Sequence, residues 1–229
     1  MNEKHNLARY EDLVKAQHAS FPSITLPPEY AELFRINTLQ VLIKLSRYKF
    51  AARLLKKEDD VLEVGSGTGV GAMFLSQHVA HVTGLEIREH EYEAACAVTS
   101  GVKNVSFHLQ SLFDYDLGRQ HDAVVSLDVI EHFSEQDGHR FVSRIARHCD
   151  PTGVVIIGTP SLHSLPYQSK YSQAAHIKCY DQHELVALMD NYFGRTLAFS
   201  MNDELVHTGN PKLAWYYFVI GVMPRSVAR

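Results

Sequence analysis

An α/β fold is predicted: a doubly wound, mostly parallel seven-stranded sheet with an antiparallel last strand, preceded by N-terminal helices. Three observations carry it. From Asp60 onward, short apolar stretches alternate with stretches of helical spacing, the pattern that parallel βαβ units leave in a sequence. A glycine-rich turn directly follows the first apolar stretch, Asp60–Val64. Near the end, Arg195–Ser200 and Ala214–Val222 follow each other closely, so an antiparallel addition is expected.

The segment up to Pro28 is mixed and broken by Pro22, Pro27 and Pro28. From Leu33 to Leu54 apolar residues recur at helical spacing without a proline, so Glu29–Lys57 is expected as one or two helices. Strand Asp60–Val64, turn Gly65–Gly71, helix Ala72–Val79, strand His81–Ile87 and helix Glu89–Ser100 come next. Strands Val105–Leu109 and His121–Leu127, helix Phe141–His148, the turn Asp150–Gly153 and strand Val154–Gly158 continue the order. A long polar segment then reaches about Lys178, before helix Gln182–Asn191 and the two final strands. The 229 residues suit one domain. Residues 1–57 are expected as a helical cap and 58–229 as the sheet-bearing core, with 159–180 as a substrate loop.

Apolar residues make up 45% and charged residues 21% of the chain, the balance of a soluble globular protein. A formal net charge of −4 disfavours a general nucleic-acid binder, which needs a basic excess. Cys96, Cys149 and Cys179 form no CxxC pair, which argues against a disulfide framework or a cysteine-rich zinc site. The run Met1–Asn6 has no apolar signal core. The longest apolar run, Trp215–Val222, is far short of the roughly 20 residues of a membrane helix. A cytoplasmic location without a membrane partner is expected, with the oligomeric state open between monomer and homodimer.

The most informative stretch is Val61-Leu62-Glu63-Val64-Gly65-Ser66-Gly67-Thr68-Gly69. A strand feeding a glycine turn and then a helix exposes backbone N–H groups to a ligand. The dinucleotide pattern G-x-G-x-x-G fails because Val70 occupies the last glycine position, and no lysine of a P-loop is present. The chain resembles the class I S-adenosylmethionine-dependent methyltransferases, whose first motif is an acid, one spacer and G-x-G-x-G. Glu63, Gly65, Gly67 and Gly69 match it position for position. The resemblance implies a Rossmann-like core in which these glycines and Ser66 pass the methionine part of S-adenosylmethionine, with Glu63 near its ammonium. Glu86, about twenty residues past the first glycine, suits two ribose hydroxyls. The resemblance further implies that Tyr48, Ile87, Gln110, Ser111, Leu112 and Asp128 border the cofactor. Ser111 stands where relatives often carry an acid for the adenine amino group.

Asp128-Val129-Ile130-Glu131-His132 is similar to the D/E-V-I/L-E-H signature of small-molecule methyltransferases, the ubiquinone-biosynthesis O-methyltransferases among them. His132 has three available roles: general base for a hydroxyl, metal ligand with Asp128, Glu131 and a distant His176, or structural support for the loop. A divalent metal, as in some RNA-methylating relatives, is the less favoured cofactor. The charged residues of the loop after the fifth strand are basic, so Lys170, Lys178 and His176 are expected to hold an anionic acceptor bearing carboxylate, phosphate or phosphonate. Tyr30 and Arg35 are expected to close the pocket from the preceding helix. The leading expectation is O-methylation of a small anionic molecule in secondary or cell-envelope metabolism. N- or C-methylation, a carrier- or RNA-bound acceptor, and a non-catalytic cofactor-binding module are the alternatives.

Overall fold

The computed structural model describes residues 3–20, 24–116 and 118–225; Met1, Asn2 and Pro22 lie outside the described residues. Among those described, eight strands form one sheet: β1 (Asp60–Val64), β2 (His81–Glu86), β3 (Val105–Leu109), β4 (His121–Leu127), β5 (Cys149–Pro160), β6 (Phe193–Asn202), β7 (Leu205–His207) and β8 (Tyr216–Pro224). Their spatial order is β3-β2-β1-β4-β5-β8-β6-β7. β1 to β5 run parallel to one another, and β8 runs antiparallel between β5 and β6. The doubly wound, mostly parallel arrangement is as expected, but the strand number is not. β7 adds a short antiparallel hairpin to β6. Three residues are too few for an alternating pattern to show in sequence.

The helices are α1 (Glu3–Ser20), α2 (Pro28–Ile36), α3 (Thr38–Arg53), α4 (Val70–Leu75), α5 (Glu89–Val98), α6 (Glu135–His148), α7 (Lys170–Ala175) and α8 (Gln182–Asp190). Helix α1 falls in the stretch the sequence left as mixed. Of its described side chains from Asn6 to Ala19, all but Val14 are exposed, so it has no buried stripe to betray it. The expected turn Asp150–Gly153 lies inside β5 as an irregularity, where the register with β4 jumps from His121↔Cys149 to Ala123↔Val154.

Alternating residues of the central strands feed two core layers, because successive side chains of a strand point to opposite faces. Leu62, Val124 and Ile157 pack with Phe141 and Ile145 of α6 and with Leu185 of α8. Val61, Val125 and Ile156 pack with Leu75 of α4 and Ala51 of α3 on the other face. The Ser134 hydroxyl caps α6 by accepting from the Asp137 N–H at 3.1 Å. Asp181 and Glu184 form a capping box on α8.

The chain winds outward through β1, β2 and β3, then returns to lay β4 on the free side of β1. The crevice at the carboxyl ends of β1 and β4 is the position where open α/β sheets hold ligands. Segment 159–180 covers that edge and is more ordered than a loop. It forms a 3-10 turn at Leu162–Tyr167 and then α7, with Leu162 N–H donating to the Tyr180 carbonyl across its base.

Candidate functional site

Two adjoining cavities open at this edge. The first, about 540 Å³, lies over the glycine turn between α3 and the end of β1. Gly65, Gly67 and Gly69 all have positive φ, at 78°, 51° and 77°, a conformation that L side chains adopt at a cost. A side chain on Gly65 would run into Val129, and one on Gly69 would meet the Ala95 backbone at 2.7 Å. At Gly67 the nearest atom would be 3.8 Å away. Two of the glycines therefore serve packing, while the middle one faces open space.

Two acids flank this turn in opposite electrostatic states. Glu86 accepts from the Gly67, Ile87 and Arg88 N–H groups, each at 2.9 Å, and from the Arg88 side chain. Burial pushes its pKa up, but these donors outweigh burial and hold it below the usual range. Glu63 is 2% exposed, and neither carboxylate oxygen has a hydrogen-bond partner. Burial pushes its pKa up to about 8; Tyr48 opposes the shift without completing a hydrogen bond, and Glu86 adds to it. A buried carboxyl with both oxygens unsatisfied is a site prepared for a positively charged donor. The Ser66 hydroxyl beside it is also unsatisfied.

The second cavity, about 560 Å³, shares Lys44, Arg47, Asp128, His132, Ser172 and His176 with the first and extends to Tyr167, Asp203, Trp215 and Tyr216. The wall between the two is an ion pair. Arg47 of α3 donates to Asp128 at 2.5 Å and stacks on the Tyr216 ring, 4.0 Å from its centroid. Asp128 sits at φ 58°, uncommon for a non-glycine residue. Its N–H is held by the Gly158 carbonyl. Arg47 Nε, Asp128 Oδ1, Glu131 Oε1 and the Tyr216 hydroxyl remain without partners.

His132 ends the 3-10 turn after β4. Its Nδ1 lies 3.0 Å from the Ala175 carbonyl. A carbonyl only accepts, so Nδ1 carries a proton, and in the neutral ring Nε2 is the nitrogen with the lone pair. The His176 ring stands 5.3 Å away; burial, and then the neighbouring His132, lower its pKa. Glu131 is fully buried, and its Oε2 accepts from the Thr159 hydroxyl at 2.9 Å. Burial, and then Asp128, push its carboxyl up to about 8. One ligand atom each from Glu131, His132 and His176 lie within 4.8 Å of one another.

Several expected residues stand elsewhere. Lys178 pairs with Glu184 at 3.1 Å and borders a separate hollow between α6 and α8. Lys170 begins α7 and lines neither cavity. Neither lysine is among the residues that line the two cavities at the edge. Tyr30 is buried, but it lines the first cavity rather than the second, and Arg35 lines neither. Asp128 is not grouped with the three ligand atoms; its carboxylate pairs with Arg47. Gln110 and Ser111 spend their side chains locally, on the Asp114 carbonyl and the Phe113 N–H. Leu112 is buried in the core and Ile87 is 71% exposed; none of the four lines a cavity. Tyr48 does, its ring resting on Gly71, where any side chain would collide with it.

Arg47, Lys44 and Tyr216 went unnoticed in the sequence. The signal for the first two was present: Lys44, Arg47 and Tyr48 are spaced three and four apart and share one helix face. Tyr216 had none, because it sits inside a strand that reads as core.

Residues 61–153 match the family model of a methyltransferase domain. A ubiquinone biosynthesis O-methyltransferase from Rickettsia akari (strain Hartford) is 28% identical over 135 residues, covering 57% of this chain and 52% of the relative. A phosphoethanolamine N-methyltransferase from Plasmodium falciparum (isolate 3D7) is 26% identical over 105 residues, covering 45% of this chain and 40% of the relative. The chain thus spans about half the length of these relatives. Among solved structures, the methyltransferase domain of bacterial-CtHen1-C superposes with a TM-score of 0.66 at 17% identity, over 80% of this chain and 100% of that one. That likeness concerns the fold.

Proposed function

We propose that this chain, a member of the class I S-adenosylmethionine-dependent methyltransferases, methylates a hydroxyl of a small molecule held in the second cavity, with His132 as the base. The observation that carries the reading is the locked tautomer of His132, whose unprotonated Nε2 belongs to a ring lining both cavities. When bound, S-adenosylmethionine supplies a sulfonium methyl group, whose transfer makes an O–C bond, breaks the S–C bond and releases the acceptor's proton. The residues present fit that cofactor: the unsatisfied Glu63 oxygens suit its ammonium, and Gly67 leaves room above the turn. Glu63 would hold the ammonium, and Glu86 would accept from the ribose hydroxyls. Arg47 and Asp128 separate the two cavities and would fix the angle between them. His132 Nε2 would take the proton, and the Ala175 carbonyl would steady the imidazolium that forms. Segment 159–180 would exclude water.

The relatives' names support methyl transfer to either oxygen or nitrogen; the base favours oxygen, since a hydroxyl must lose its proton. The anionic acceptor expected from Lys170 and Lys178 loses its support with their positions. Lys44, the remaining lysine at the cavities, is paired with Glu29 at 2.6 Å. A second reading draws on the close grouping of Glu131, His132 and His176. They could hold a divalent cation that polarises the hydroxyl. The two readings compete for the same atom, His132 Nε2.

Calorimetric titration with S-adenosylhomocysteine, with and without EDTA, tests the cofactor assignment. Saturable binding that weakens in Glu63→Ala is expected; no binding overturns it. Methylation of a panel of hydroxylated acceptors by chelated enzyme then separates base from metal. Activity that survives EDTA and disappears in His132→Ala supports the base, and activity restored only by added Mg²⁺, Mn²⁺ or Zn²⁺ supports the metal.

A further inference from the structure

The outer rim of the second cavity is unlike its floor. Two aromatic rings stand open there: Tyr167 is 75% exposed and Trp215 is 51% exposed. Their centroids are 5.4 Å apart and their planes meet at 59°, so they form an open wedge and not a closed stack. Asp203 lines the same cavity. It sits at the tip of the β6–β7 hairpin with φ 50°. Its carboxylate has no hydrogen bond or ion pair with any described residue.

This rim is built. The Asn202 side chain accepts from the Trp215 N–H at 3.1 Å and donates to the Leu213 carbonyl at 3.2 Å. Trp215 N–H also reaches the Met201 carbonyl, and the Trp215 carbonyl accepts from Ser161 N–H at 2.9 Å. The tryptophan is thus tied to the hairpin that carries Asp203 and to the strand end that leads into Tyr167. Among the described residues, no lysine or arginine stands over either ring.

The charges of the cavity sharpen the point. Lys44 is matched by Glu29 and Arg47 by Asp128. With those pairs set aside, Asp203 is the exposed, unpaired acid among the described residues of a lining that also carries the two aromatic rings. Aromatic faces and a carboxylate together form the recognition chemistry for an organic cation, since the negative π-face and the anion attract the same sign of charge.

We propose that Tyr167, Trp215 and Asp203 form a cation-recognition subsite, and that the methyl acceptor carries a protonated or quaternary nitrogen remote from its reacting hydroxyl. The inference rests on the methyltransferase reading above for the word acceptor, while the subsite itself rests on the rim. It also reverses the charge of the acceptor that the loop lysines suggested.

Trp215 is the single tryptophan of the chain, so its fluorescence reports the subsite without turnover. The full-length protein with saturating S-adenosylhomocysteine is titrated with choline, with its uncharged isostere 3,3-dimethylbutan-1-ol, and with 3,3-dimethylbutyrate. The expected result is a saturable change with choline, at a concentration about tenfold or more below that of either isostere. Asp203→Asn should weaken choline by about tenfold, Asp203→Glu should restore most of it, and Tyr167→Ala should weaken it while leaving the other two probes unchanged. Equal response to the three probes, preference for the carboxylate, or no saturable response to choline overturns the proposal. If S-adenosylhomocysteine binds in calorimetry but choline does not, the subsite alone falls. If S-adenosylhomocysteine fails to bind, the methyltransferase reading falls whatever the rim does.

Discussion

The two cavities share a wall, yet they are assembled in different ways. The first has a floor made of two runs close in sequence, Gly65–Gly71 and Arg88–Glu91, at the ends of neighbouring parallel strands, with walls from α2, α3, the turn after β4 and α7. The second gathers α3, the turn after β4, the segment from Pro160 to His176, the β6–β7 hairpin and the start of β8. A local site can be blocked by one side chain and leave the fold alone. A site stitched from five stretches depends on the contacts that bring them together, so its substitutions should disturb stability and activity at once.

The sharpest test of the local site compares two glycines. Gly67→Leu meets almost nothing in the protein and projects into the cavity. Its affinity for S-adenosylhomocysteine should fall roughly thousandfold, about 4 kcal/mol, while the strained φ of 51° lowers the melting temperature by only a few degrees, about 1–2 kcal/mol. Gly69→Leu presses on the Ala95 backbone and should unfold the protein instead. Calorimetry and thermal denaturation separate the two, and equal behaviour would erase the distinction drawn between these positions. On the acceptor side, His132→Ala should lower turnover by roughly 10²–10⁴-fold, with affinity for S-adenosylhomocysteine nearly unchanged.

The shared wall comes next. Arg47→Ala leaves the half-exposed Asp128 beside Glu131 without its cation, and should cost about 1–3 kcal/mol in chemical denaturation. Arg47→Lys should recover part of that loss, and an unaffected alanine variant would mean that the wall bears no weight in the fold.

A smaller effect concerns pH. Glu63 takes up its proton more readily in the folded state, its pKa being raised from 4.5 to about 8. Below about 4.5 the group is protonated in both states and its contribution is fully present; it is lost as pH rises through about 8. Without ligand, stability should therefore fall across this window, by on the order of a few kcal/mol. Glu63→Gln should make the decline shallower, the similarly raised Glu131 keeping the rest, and a cofactor bearing an ammonium should oppose the decline by favouring the ionised carboxylate. Melting curves between pH 5 and 8 decide it. The smallest effects belong to Lys170→Ala and Lys178→Ala, which should leave turnover within about twofold and stability within about 1 kcal/mol. A large loss in either would return the loop cations to the acceptor side.

The difference in assembly also explains what could be read from the chain. Glu63, Gly65, Gly67 and Glu86 were recognisable because a strand, a tight turn and the next strand end present them at set intervals. Even there, Gln110, Ser111, Leu112 and Ile87 are absent from the cavity linings, as are Glu63 and Glu86. The basic loop was legible as composition, but the direction of each lysine was not. Lys178 turns to Glu184 because α8 docks beside it.

Strand and helix alternation, the two-faced core and the glycine turn follow from residues near one another in sequence, because strand alternation, helical spacing and turn conformation are local preferences. The Arg47–Asp128 wall, the lone-pair nitrogen of His132 and the Tyr167–Trp215–Asp203 rim join residues as far apart as α3 and β8. Their partners are chosen by which surfaces meet when the sheet closes its crevice, and that choice depends on burial and distance, which exist only once the chain is folded.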